Sequence, residues 1–375
     1  MERLSEKEWK QFGFAEVFDI KKGFYNKKPE DDGTGTIPFL GATDSNNGVT
    51  RFLTLEEIKH GTKTGDLHNS PLEKKLFPGH AIAVTNNGSV GHAFYQATKF
   101  TCSHDINPLY LRDHEMSREE ADFLIKAIEE QGILFQYARK WRPIRMVKSK
   151  IMLPIDDKED PDYAYMTLYS AEVGGGMLMR YKNFIAGQLS QLEHKAIPAL
   201  DEKKWKPVLI SSMFELVRGR ENNMAMLEDG DTPLISAKAN NNGLKGFVHN
   251  PKKIITGQCI TLNNDGDGGA GLAYYQPANM ALDSHVTALV PLFDMSAFAM
   301  LFIAKCISGL HGFFGHGLSI SNPRAKRLRI MLPVTDSGEP DYAYMEQYAK
   351  NMMLKKYKQY LAFIDRQSAA EEVSS

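Results

Sequence analysis

Pro161-Asp162-Tyr163-Ala164-Tyr165-Met166 returns letter for letter as Pro340-Asp341-Tyr342-Ala343-Tyr344-Met345. Each copy follows an Ile-Met-Leu-Pro run, Ile151 to Pro154 and Ile330 to Pro333, so a hexapeptide and a tetrapeptide share one spacing of 179 residues. A fixed internal period marks a duplicated structural unit. The chain reads as one unit written twice.

Upstream the match continues at an offset of 196 residues: Trp9 answers Trp205, Phe18 answers Phe214 and Gly23 answers Gly219. Ile37-Pro38-Phe39-Leu40 corresponds to Thr232-Pro233-Leu234-Ile235, and a polar turn follows each. These turns are Asp44-Ser45-Asn46-Asn47-Gly48-Val49 and Ala239-Asn240-Asn241-Asn242-Gly243-Leu244. Asn-Gly between apolar runs predicts a hairpin, because both residues accept positive φ. A further strand, Ala81 to Thr85 before Asn86-Asn87-Gly88, aligns with Gln258 to Leu262 before Asn263-Asn264-Asp265-Gly266. Tyr95-Gln96 then matches Tyr275-Gln276, and Ser103-His104 matches Ser284-His285. From 196 upstream the offset falls to 177–181 across this region and to 179 at the closing motifs, so loops shorten in the second copy while strands persist.

Short strands with such turns predict a curled mixed or antiparallel sheet. Ser117 and Glu120 form a capping box that opens a helix to Glu130, with Met295 to Ile307 as its partner. The hexapeptides then open long helices. Asp160 is read as the cap and Pro161 as the first helical residue, where a missing N–H costs nothing. Leu178, Tyr181, Ile185, Leu189 and Leu192 form an apolar stripe in the first helix, which Pro198 ends. Tyr342, Met345, Ala349, Met352, Tyr357, Tyr360 and Ile364 do the same in the second. An apolar stripe needs a partner, and the simplest is the other helix, in an antiparallel pair. Gly174-Gly175-Gly176 falls in the first helix alone and either breaks it or lengthens it.

Bulk composition is that of an ordinary globular protein: 375 residues, 42% hydrophobic and 24% charged. No apolar run of about 18 residues occurs, so no membrane span is expected. The charged stretch Met1 to Lys10 does not read as a signal peptide. Cys102, Cys259 and Cys306 form no CxxC pair, which fits a reducing cytoplasm without structural zinc. Net charge is −1, but its distribution is uneven. Arg139, Lys140, Arg142, Arg145, Lys148 and Lys150 occur without one acid, and Arg324, Lys326, Arg327 and Arg329 occupy the matching place. One such run reads as a solvated face; two at equivalent positions read as a binding surface used twice.

Other signals point away from catalysis. Gly266 to Gly271 satisfies GxGxxG but precedes Leu272-Ala273-Tyr274-Tyr275-Gln276, not a helix. Asn263, Asp265, Asp267 and Gly268 imitate a calcium loop whose twelfth position, Tyr274, lacks the required glutamate. His104 and His285 recur without an accompanying acid or thiol and read as structural or DNA-contacting. No Asp-Pro-Pro-Tyr methyltransferase motif or PD-(D/E)xK nuclease motif is present.

Two divergent α+β domains, each followed by a similar long helix, resemble the specificity subunit of type I restriction–modification systems. The Ile-Met-Leu-Pro and Pro-Asp-Tyr-Ala-Tyr-Met junctions resemble more closely the specificity subunits of type IIB, BcgI-like systems. The resemblance covers Trp9 to about Arg366. It implies target recognition domains at residues 1–160 and 199–339, with helical spacers at 161–198 and 340–375 pairing as an antiparallel coiled coil. It further implies a non-catalytic cytoplasmic subunit that reads an asymmetric bipartite site in double-stranded DNA. The partner would be an adenine methyltransferase subunit or a fused methyltransferase–endonuclease, carrying S-adenosylmethionine and Mg; no cofactor is expected on this chain.

Within that resemblance Arg139, Lys140, Arg142, Arg145, Lys148, Arg324, Lys326 and Arg327 would neutralise phosphates. Base reading needs short polar groups on exposed loops: Ser45, Asn46, Asn47, Asn86 and Asn87 in the first domain, Lys238, Asn240, Asn241, Ser319 and Asn322 in the second. Each asparagine could equally be a plain turn residue. A different class of function, a tandem carbohydrate- or surface-binding β protein using Tyr25, Tyr95 and Tyr275, accounts for the turns but not for the basic runs or long helices.

Overall fold

The computed structural model describes residues 3–63, 69–135, 139–222, 226–266, 269–315 and 318–374, with side chains as far as residue 366. By internal contacts the chain divides into two units, Met1–Arg180 and Tyr181–Ser375.

The first unit runs β1 (Trp9–Gly13), α1 (Phe14–Val17), β2 (Phe18–Ile20), β3 (Ile37–Leu40), β4 (Val49–Leu53), α2 (Leu55–His60), β5 (Ala81–Thr85), β6 (Ala93–Gln96), β7 (Thr101–Cys102), β8 (Ile106–Leu111), α3 (Arg118–Gly132), α4 (Pro143–Met146), β9 (Lys150–Pro154) and the start of α5 (Tyr163–Gln191). Strands order as β2-β8-β5-β6, all antiparallel, beside a smaller sheet β4-β3-β7 whose β3–β7 pair is parallel. β1 and β9 form a separate antiparallel ribbon, Trp9 opposite Pro154. β5 is buried along its whole length because both faces are covered. Ile82 and Val84 face α3, Trp141 and Met166, while Ala81 and Ala83 face Leu40, Phe100 and Cys102 of the small sheet. That alternation is the period of two that a strand imposes.

The second unit repeats this plan. It contains β10 (Trp205–Leu209), β11 (Phe214–Arg218), β12 (Glu228–Ile235), β13 (Leu244–His249), β14 (Ile254–Ile255), β15 (Cys259–Asn263), β16 (Ala273–Gln276), β17 (Met280–Leu282), β18 (Val286–Pro291), α6 (Ala297–Ser308), α7 (Asn322–Arg327), β19 (Arg329–Pro333) and α8 (Tyr342–Ser374). The sheets are β11-β18-β15-β16, β13-β12-β17-β14 and the ribbon β10-β19. The folded chain is thus mixed α+β, with one topology used twice.

Three sequence expectations need correction. Ala81 pairs with Gln96 and Cys259 with Gln276, so Ala81 corresponds to Cys259 and Asn86 to Asn264, one residue from the sequence alignment. Packing enforces this register: Ile260 joins Leu262 on the α6 side, while Cys259 faces the β13-β12-β17-β14 sheet. A one-residue slip would exchange every side chain between faces. The long helices are capped by Asp162 and Asp341, not Asp160, since Oδ1 of each accepts from the amide of Tyr165 (2.9 Å) or Tyr344 (3.0 Å). Pro161 lies just outside, bridged to Ile155. Finally, α5 ends at Gln191, before Pro198. The segment after it lies along α8: Gln347 donates to the Glu193 carbonyl (2.9 Å), Asn351 to that of Lys195 (2.8 Å) and the Tyr344 hydroxyl to that of Pro198 (2.9 Å). Side chains of α8 thus satisfy backbone groups that a longer helix would have satisfied internally.

α5 continues unbroken through Gly174-Gly175-Gly176, where an added Cβ would meet nothing within 4 Å. Within the second unit its last turns contact α8 in reversed order, Tyr181 against Tyr360 (5.1 Å between centroids) and Phe184 against Tyr357 (6.5 Å). Among the described residues no helix is long and apolar enough to cross a membrane.

Candidate nucleic-acid interface

The turn after β3 sets three successive residues in the left-handed region: Asn46 (φ 52°), Asn47 (51°) and Gly48 (77°). Asn241 (50°), Asn242 (53°) and Gly243 (77°) repeat it. Only asparagine and glycine adopt this conformation readily, which explains the recurrent letters. Each turn is clamped to the neighbouring sheet in both directions. Asn47 Nδ2 donates to the Tyr95 carbonyl (3.0 Å) and Gln96 Nε2 to the Asn47 carbonyl (3.1 Å). Asn242 Nδ2 donates to Tyr275 (3.0 Å) and Gln276 Nε2 to Asn242 (2.9 Å). The Tyr-Gln recurrence is the other half of the Asn-Asn-Gly recurrence. Asn47 is therefore committed to the turn, and Asn46 Nδ2 also bonds locally, to the Val49 carbonyl (2.8 Å). Ser45, Asn240 and Asn241 are exposed, with Ser45 Oγ 3.1 Å from Thr43 Oγ1.

The second loop follows β5. Asn86 is buried, its amide donating to Asn107 Oδ1 (2.7 Å) and the His104 carbonyl (3.1 Å), so it holds the loop from inside. Half-buried Asn87 donates to Asp105 (2.9 Å). In the second unit Asn264 takes the place of Asn86 and accepts from Thr287 Oγ1 (3.0 Å), whose hydroxyl also lies 2.9 Å from Asn322 Oδ1. Lys238 is half-buried, and its carbonyl accepts from Asn263 (3.0 Å) and Tyr274 (3.3 Å). His285 Nδ1 lies 2.7 Å from Asp265 Oδ1. That carboxylate holds the imidazole above its ordinary 6.5, against the opposing effect of partial burial. Asp267 and Gly268 lie outside the described residues.

The third segment is basic. Trp141 is buried against Phe14 (5.3 Å) and stacks on Phe135 (4.9 Å), and its Nε1 donates to Ser149 Oγ (2.9 Å). With Met146 also buried, the chain between them is pinned from within. Arg139, Lys140, Arg142, Arg145 and Lys148 remain exposed. Ile320 and Ala325 pin the second copy, leaving Ser319, Arg324, Lys326 and Arg327 exposed. In both copies an arginine ties the segment together: Arg145 Nη1 to the Lys140 carbonyl (2.9 Å), and Arg324 to that of Ser319.

These three segments meet in each unit. A Cβ on Gly88 would lie 3.2 Å from Ala42, and the Trp141 amide donates to the Asn86 carbonyl (3.1 Å). Correspondingly, a Cβ on Gly266 would lie 3.1 Å from the Ala237 carbonyl, and the Ile320 amide donates to that of Asn264 (2.6 Å). The result is an exposed polar turn, a second loop and a basic helix end placed side by side, twice.

A repeated latch escaped the sequence reading. Lys7 Nζ lies 2.8 Å from Asp162 and over the Tyr165 ring (5.1 Å); Lys203 lies 2.7 Å from Asp341 and over Tyr344 (4.9 Å). Burial pushes both carboxyls up, but the ammonium and the capped amide outweigh it and hold them below the ordinary 3.8. Its signal was the equal offset of Lys7 and Lys203 from the two tryptophans. Of the aromatics available to a carbohydrate site, Tyr25 and Tyr95 are buried. Burial also raises the Cys259 thiol to about 12. Among the described residues no three His, Cys, Asp or Glu side chains cluster as metal ligands.

The Methylase_S family model, described as type I restriction modification DNA specificity domain, matches residues 6–172 and 202–361. A Heyndrickxia coagulans protein named Type II restriction enzyme BgcI specificity subunit S.BcgI is 31% identical over 190 residues, 51% of this chain and 48% of that one. The chain thus matches about half the length of that relative. Among solved structures, the S subunit of a type I restriction-modification system from M. genitalium is 15% identical with a TM-score of 0.45, covering 100% of this chain and 95% of that one. The HsdS subunit from Thermoanaerobacter tengcongensis is 12% identical with a TM-score of 0.30, covering 96% and 91%.

Proposed function

The chain belongs to the family of type I restriction modification DNA specificity domains, and from that premise we propose that it is a non-catalytic recognition subunit reading a split target in duplex DNA. Each unit reads one half-site with its turn, second loop and basic segment. The single observation behind this reading is the double assembly of those segments, with an acid-free basic stretch at the same place in both units. Lysine and arginine there bind phosphates and fix register, while the exposed side chains of the loops read base edges. Ser45 faces its task with a hydroxyl where Asn240 offers an amide, so the half-sites differ and the target is asymmetric.

Residues 1–160 and 199–339 form the recognition domains in this reading, and 161–198 and 340–375 the spacers. The reversed order of contacts from Tyr181–Tyr360 to Phe184–Tyr357 supports pairing of the spacers as an antiparallel coiled coil. The partner is an adenine methyltransferase, separate or fused to an endonuclease, which brings S-adenosylmethionine and Mg; the complex works in the cytoplasm, where the DNA is. Methylation mapping by single-molecule sequencing, in cells carrying this gene and its neighbours, tests the proposal. A split, asymmetric adenine-methylated motif that disappears when this chain is deleted is the expected result. No such motif, with the neighbours expressed and intact, overturns it.

A further inference from the structure

Two aliphatic side chains stand in the middle of the first basic segment. Ile144 is 78% exposed and Val147 47% exposed, on and just after α4. Their exposure is enforced from inside, because Trp141 and Met146 are both fully buried. At about 100° per helical residue, Ile144 lies roughly 160° from Met146 and Val147 roughly 100°, with Lys148 on the other flank at roughly 200°. The outward face is therefore an apolar pair bordered by the exposed cations Arg142, Arg145 and Lys148. No acid occurs between Arg139 and Lys150.

This combination selects its partner. The cations favour a polyanion, and the aliphatic pair favours a polyanion that also offers apolar surface. Base pairs offer it in two forms: the thymine methyl on the groove edge and the flat face of an opened step. The second unit shows that the feature is not required by the fold. Buried Ala325 corresponds to Met146, which puts Pro323 and Lys326 where the first unit has Ile144 and Val147.

We propose that Ile144 and Val147 are an apolar base-reading element of the first unit, held against the half-site by the flanking cations. The inference rests on the DNA-reading function proposed above. It makes the two half-sites differ at this position, where the first unit presents Ile144 and Val147 and the second presents Pro323 and Lys326.

The test uses the full chain with its methyltransferase partner and duplexes carrying the mapped target. The double variant Ile144→Ser/Val147→Ser, with unchanged thermal unfolding, is expected to lose roughly ten-fold in affinity for the target, about the cost of one mismatched pair. Discrimination should fall in one half-site only, with the salt slope unchanged. Lys148→Ala should instead weaken binding to every sequence and reduce the slope by about one. Uracil in place of thymine in that half-site, weakening wild type but not the variant, identifies the methyl as the contact. A 2-aminopurine signal that brightens with wild type and not with the variant identifies an opened step. Wild-type affinity and discrimination in the double variant overturn the proposal, as does loss of methyltransferase assembly with DNA binding by the chain intact. If the wild-type complex itself prefers no sequence, the DNA-reading function falls; if wild type and variant discriminate equally, only this inference falls.

Discussion

Gln96 and Gln276 carry more weight than their position in the sequence announces. Each is buried and donates to the carbonyl of the central left-handed asparagine of a turn, while that asparagine donates back across the sheet. Removing the glutamine leaves a carbonyl without its donor and frees the turn, at a cost of about 1–3 kcal/mol. Gln276→Ala should therefore lower thermal stability by that amount and blur discrimination in one half-site. Full stability with full discrimination would show that the clamp does not position the turn. At this scale the sequence displayed the recurrences but not their purpose. Asn46-Asn47-Gly48 and Tyr95-Gln96 lie almost fifty residues apart, and only the closed sheet makes them one device.

At the scale of elements, the glycines of α5 distinguish a broken helix from a continuous one. The helix runs through Gly174-Gly175-Gly176 with open space around them, so alanine costs nothing sterically and regains helix propensity of up to about 1 kcal/mol per site. The triple alanine variant should raise the thermal stability of the helix, read by circular dichroism, and leave target spacing unchanged. Deleting the three residues should behave differently. It shortens the helix by about 4.5 Å and removes about 300° of turn, which corresponds to a change of roughly one base pair in the preferred spacer on a 3.4 Å rise. An unaltered spacer in the methylation map of the deletion would mean that α5 does not set the distance.

For the whole molecule, the proposed function makes the two duplicated and diverged units separable readers, which can be tested one unit at a time. Asn240→Ala/Asn241→Ala changes exposed side chains in the second unit only. Preference should shift in one half-site while the other is read as before, measured by competition among duplexes varied one half at a time. Equal loss against unrelated sequences would contradict independent reading. The latches Lys7–Asp162 and Lys203–Asp341 fit the same plan, since each ties the entry of a unit to the start of the long helix that follows it.

The sequence by itself determined that there are two units of one topology, where α3 begins, and that Asn-Asn-Gly turns join β3 to β4 and β12 to β13. Those features follow from local rules: a repeat is visible as letters, a capping box acts within four residues, and positive φ restricts a turn to few residue types. Tertiary structure decided the rest. It set β5 against β15 one residue away from the apparent alignment, because each strand buries both faces and parity is fixed by what lies on either side. It buried Asn86 and left Asn240 exposed. It also gave opposite meanings to identical letters. A Cβ at Gly23 or Gly219 would lie 2.1 or 2.0 Å from a neighbouring carbonyl oxygen, whereas one at Gly175 would meet only solvent. What surrounds a residue comes from distant parts of the chain, and no local pattern encodes it.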